Sequence, residues 1–90
     1  MNIKTDVDYR KDVQTLNPNA LVLEGMDDCI IGFANIPNQP LRLAYNRDLV
    51  LQKMKEETEL TREEVIYALA DLMQGMEDDG ADVPVFISND

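Results

Sequence analysis

The sequence predicts an α+β domain: an antiparallel sheet of three to four strands with two helices packed on one face, in the order β-β-β-α-α-β. Three observations carry that expectation. Short apolar runs at 20–24, 29–36 and 41–45 are separated by turn chemistry rather than by helical spacing. Helical periodicity then begins after Asn46 and again after Thr61. A last apolar run, Val83 to Ile87, follows Gly80.

Residues 1–16 mix charge with scattered apolar positions and form either an arm or one short helix from Asp6 to Leu16. Asn17-Pro18-Asn19 breaks the chain, because proline steers the residue before it away from helix. The compact domain is therefore expected over 17–90. Ala20 to Glu24 reads as a first strand, and Gly25-Met26-Asp27-Asp28 as a hairpin turn. Cys29 to Ile36 is apolar on both faces, as a central strand would be, with Gly32 marking a bulge or a close approach. Pro37 to Pro40 turns the chain again, and Leu41 to Tyr45 alternates strictly, with Leu41, Leu43 and Tyr45 on one side.

Asn46 is a good N-cap, and Tyr45 with Val50 has the spacing of a hydrophobic staple. The helix that follows is expected to run to about Glu57, turning Leu49, Val50, Leu51 and Met54 inward. "TREEV", residues 61–65, is a capping box with Thr61 as N-cap and Glu64 at N3. Its helix places Val65, Leu69, Leu72 and Met76 on one stripe, flanked by Ile66 and Met73. Glu77-Asp78-Asp79 sets like charge at the negative helix end, where fraying is expected, and Gly80 is a natural C′ residue. Pro84 confines the last strand to a sheet edge or to a start beyond it.

The net charge of −10 is unevenly spread. Residues 1–55 carry seven acids and seven bases, whereas residues 56–90 carry eleven acids against Arg62 alone. Binding of nucleic acid through a basic surface is therefore disfavoured, since phosphates need clustered Lys and Arg. An acidic face instead steers association with a basic partner. No apolar run is long enough to span a bilayer, and residues 1–13 are too charged for a signal peptide, so a soluble cytoplasmic protein is expected. The lone cysteine, Cys29, agrees with a reducing compartment.

Catalytic chemistry finds little support. Histidine is absent, so Cys29 has no imidazole to activate it. "EDDGAD", residues 77–82, resembles a calcium loop only superficially: with Gly80 at loop position six, Gly75 and Phe86 fall where carboxylates are required. The four glycines form no phosphate cradle. No enzyme, cofactor or metal is expected. An alternative enzyme or ligand pocket would use Asp27, Asp28, Tyr45 and Asn46. A further alternative is a self-assembling homo-oligomer joined through a sheet face or edge strand. The main expectation is a protein-docking face built from Glu56, Glu57, Glu59, Glu63, Glu64, Asp71, Glu77, Asp78, Asp79 and Asp82.

The blocks "NPNALVLEGMDDCIIGFA", "LAYNRD", "TREEV" and "VPVF", in that order, resemble a family of small uncharacterised phage, prophage and bacterial proteins. That family reads roughly Asn-Pro-x-Ala, an apolar strand, Gly-x-x-Asp-Ala-Ile-Ile-Gly, Tyr-Asp, Thr-x-Glu-Glu-Ala, an Asn-x-x-Gly segment and Thr-Pro-Val-Phe; Asp71 lies near the place of its Asn, and Gly75 and Gly80 match its glycine segment only loosely. The resemblance spans about residues 17–86, with Cys29, Asn46, Val65 and Val83 departing from the pattern. It brings no established activity. It implies a phage or prophage setting, in which the acidic face would bind a host factor or a defence protein that grips nucleic acid.

Overall fold

Asp8 starts the first regular element among the described residues. In the computed structural model, which describes residues 8–88, its carboxylate accepts the backbone N–H of Lys11 at 3.1 Å and caps helix α1, Tyr9–Leu16. The expected N-terminal helix is thus present over 9–16, while Asp6 and Val7 lie outside the described residues. Val13 is fully buried and anchors α1, and Tyr9 meets Phe33 edge-to-face with ring centroids 5.2 Å apart. Asn17, in extended conformation ahead of Pro18, ends the helix.

Ala20 to Glu24 is not a strand. Only Ala20 forms an isolated parallel bridge, to Asp82. Leu21 N–H donates to the Asp82 carbonyl and Asp82 N–H to the Asn19 carbonyl, each at 3.0 Å. Farther along, the Leu23 N–H donates to the Tyr45 hydroxyl at 3.0 Å. A buried-facing segment needs its backbone groups paired, and here a loop and one phenol supply the partners that a ladder would. Gly25, at φ 75°, then turns the chain into a 3-10 turn, Asp27–Cys29. The two aspartates therefore open a helical turn rather than tip a hairpin, and Cys29 belongs to that turn, not to a strand.

Strands β1, Ile30–Ala34, and β2, Arg42–Asn46, pair antiparallel, with a register shift between Ile30 and Gly32 where a bulge was expected. Between them Gln39 N–H closes a turn onto the Ile36 carbonyl at 3.1 Å. Pro37 and left-handed Asn38, φ 65°, occupy its centre in the pattern of a type II turn. Asn46 caps helix α2, Arg47–Glu57, accepting from Leu49 N–H at 3.2 Å. Both staple residues, Tyr45 and Val50, are fully buried.

Helix α3, Arg62–Asp78, begins with the full capping box. Its C-terminus is capped by backbone hydrogen bonds. Gly80, φ 94°, donates to the Glu77 carbonyl and Ala81 to the Met76 carbonyl, which is a Schellman motif. Strand β3, Val85–Ile87, follows Pro84 on the sheet edge.

The sheet order is β1-β2-β3, with β3 parallel to β2. The expected all-antiparallel sheet is therefore a mixed one. Parallel neighbours need a long crossover, and the α2–α3 pair provides it. Register places Phe33 with Leu43 and Tyr45 with Phe86 on one face. Tyr9 of α1 packs on Phe33, while Phe86 shares a cleft with Leu51 of α2 and Ile66 of α3, so helices cover this face. Two expected inward residues depart from their stripes. Leu49 and Leu72 are partly exposed, because the buried lines run through Val50–Leu51 and Val65–Leu69 instead.

Candidate functional site

The four residues of the expected pocket are each engaged in holding the fold. Asp28 accepts from the Lys53 ammonium at 2.6 Å; that hydrogen bond holds its carboxyl below the ordinary range and raises the Lys53 ammonium. Asp27 and Glu24 flank the Arg10 guanidinium at 3.4 and 2.6 Å. Tyr45 is wholly buried, and burial pushes its phenol up against the smaller opposing effect of the Leu23 N–H. Asn46 is occupied as the α2 cap. Successive strand residues point to opposite faces, so Tyr45 and Asn46 do not share a pocket. The polar depression beside Asp27, about 360 Å³, is lined by Asp8, Arg10, Lys11 and Gln14 and contains neither.

Cys29 is buried, and its thiol is raised first by burial and then by the charge of Asp28. Thiolate is the reactive form. Labelling of Cys29 by a thiol reagent will be slower in the folded protein than in urea by on the order of a hundredfold or more, since it must wait for opening. Comparable rates in the two states would show an accessible thiol. Among the described residues, no three His, Cys, Asp or Glu side chains converge as a metal-ligand set. Nor is any helix there long and apolar enough to cross a membrane.

The acidic residues behave differently from the pocket set. Every ion pair among the described residues uses Glu24, Asp27, Asp28 or Asp48. The carboxylates of Glu56, Glu57, Glu59, Glu63, Glu64, Asp71, Glu77, Asp78 and Asp79 are exposed and have no cation partner there. Two of the expected docking residues also serve structure. Glu64 accepts from Thr61 N–H at 2.8 Å, which lowers its carboxyl. Asp82 is half-buried and accepts from the Asn17 amide at 2.9 Å, so it belongs to a clip and not to the acidic face.

That clip was not apparent from the sequence. Asn17 also donates to the Leu41 carbonyl at 2.9 Å, and the Asn19 amide donates to the Gly80 carbonyl. The "NPNA" block thus ties the end of α1 to the loop after α3.

On the outward side of α3, Glu63, Tyr67, Asp71, Gln74 and Asp78 recur at steps of three or four residues. They form a stripe about 22 Å long. Tyr67 projects between Glu63 and Asp71, one turn from the N-terminal end of the stripe, with 69% of its surface exposed. The acidic sequence composition signalled this stripe, but the aromatic within it was missed. Its spacing from Glu63 and Asp71 was the available signal. No family model matches the chain, and no curated protein or solved structure matches it significantly.

Proposed function

We propose that this chain is a non-enzymatic binding protein whose α3 stripe docks on a basic protein partner. The observation that carries the reading is Tyr67, exposed between the carboxylates of Glu63 and Asp71, which have no cation partner among the described residues. Tyrosine is a frequent interface anchor because it buries a large rigid ring and keeps a polar tip. The surrounding carboxylates steer a basic surface toward it and fix its register. A groove built to grip phosphates suits such a row of charges. The resemblance to phage and prophage proteins supplies the setting: a host or defence nucleic-acid-binding protein, occluded by carboxylates standing in for phosphates.

The test compares two baits in a bacterial lysate at low and high ionic strength. One is the wild-type chain and the other carries Tyr67→Ala, Glu63→Gln and Asp71→Asn. Glu64 is left intact because it caps α3. The expected result is a basic protein held by the wild type at low salt and retained at least about tenfold less by the variant. Equal retention by both baits would overturn the reading.

A further inference from the structure

Beside the α3 stripe, on a different flank of the helix, lies an apolar cleft. Leu23 and Met26 of the loop, Val50 and Met54 of α2, and Leu69 and Leu72 of α3 line a volume of about 170 Å³. Leu72 stands 46% exposed at its edge. Drug-sized ligands occupy roughly 300–1,000 Å³, so the cleft fits a side chain presented by another molecule better than a free ligand. Methionine walls adapt to irregular apolar shapes.

The rim supplies the sign of the partner. Glu24 borders the cleft but is held by the Arg10 guanidinium at 2.6 Å, so the free charge lies to either side of it. Glu57 lies one turn beyond Met54 on α2, and Asp79 lies two turns beyond Leu72 at the end of α3; both are exposed and lack a cation partner among the described residues. Lys53, the cation on that flank of α2, is held by Asp28 and by the Gly25 carbonyl. An apolar slot flanked along its two helices by the carboxylates of Glu57 and Asp79, unpaired among the described residues, is complementary to a helix that is apolar on one side and basic on the other.

We infer that this cleft receives the apolar side of a basic amphipathic helix from a partner protein, with one large side chain seated between Met54 and Leu72. The cleft is a surface separate from the Tyr67 stripe, and the two stand or fall apart.

The probe is a labelled helical peptide of leucine and lysine only, with leucines on one side. Its controls are a scrambled peptide of equal composition and an amphipathic leucine–glutamate peptide. Fluorescence anisotropy with the full chain is expected to show binding of the first peptide alone. Leu72→Ser, a change at a partly exposed position, should weaken it about tenfold or more while circular dichroism stays unchanged; Tyr67→Ala should leave it intact. Three results would overturn the inference: equal binding of the scrambled peptide, equal binding of the leucine–glutamate peptide, or no effect of Leu72→Ser. So would a wild-type dimer that Leu72→Ser converts to monomer, since a second copy would then be the occupant. Loss of binding in the Tyr67 variant would assign the peptide to the stripe and likewise overturn it.

Discussion

Tyr45→Ala will lower the stability of the domain by about 3–5 kcal/mol. The ring is completely buried in the middle strand, tilted against Phe86 with centroids 5.9 Å apart, and its removal leaves a cavity under the helices. Its hydroxyl is also the partner of the Leu23 N–H in a segment that lacks a strand ladder. Tyr45→Phe keeps the ring and loses only that partner, at about 1–3 kcal/mol for an orphaned donor. Single domains have roughly 5–15 kcal/mol in all, so the alanine variant will approach unfolding and the phenylalanine variant will not. Urea titration of both variants measures the difference. Equal midpoints for the wild type and Tyr45→Phe would show that the 20–24 segment does not depend on the phenol.

Val13→Asp will cost more than about 4 kcal/mol, the range reserved for an unpaired charge placed in a core. Val13 is the one fully buried residue of α1, and it packs in the same cluster as Leu43 and Tyr45. A short helix with a single deep anchor has little else to hold it, because eight residues are too few to stay helical in water alone. Hydrogen exchange should show lost protection across 9–16 and over the sheet face beneath. Lost protection confined to α1, with a stable sheet, would make the helix an appended arm rather than part of the core.

Local chemistry made the helical half legible. Asn46 and Thr61–Glu64 act as caps at the positions their side chains suggested, and Gly80 closes α3 by adopting the left-handed conformation that glycine tolerates. Strand β2 was readable from its alternation and the irregularity in β1 from Gly32, but the run 29–36, apolar on both faces, suggested a central strand, and β1 lies at the sheet edge with β2 in the middle. Ala20 to Glu24 misled, because an apolar run reports burial but not where its N–H groups go. Here they go to Asp82 and to Tyr45, far away in sequence. The direction of β3 was equally hidden, since pairing polarity depends on how the crossover returns rather than on residues 85–87.

The candidate site was half legible for the same reason. Total charge located the acidic surface on the helices, while neighbours distant in sequence decided which carboxylates are free. Asp28 has Lys53, and Asp82 has Asn17. Neither partner follows from local pattern.

The mixed sheet also predicts an order of folding events. The β1–β2 pair needs only the link 35–41 to close, a short local loop. The β2–β3 pair requires that both α2 and α3 be traversed first, so its closure carries the larger entropic cost and comes later. Until then the edge of β2 that will receive β3, along Ala44 to Asn46, is open with unpaired backbone groups. Any change that slows the docking of the two helices therefore lengthens the life of that edge, and with it the interval in which one folding chain can pair with another.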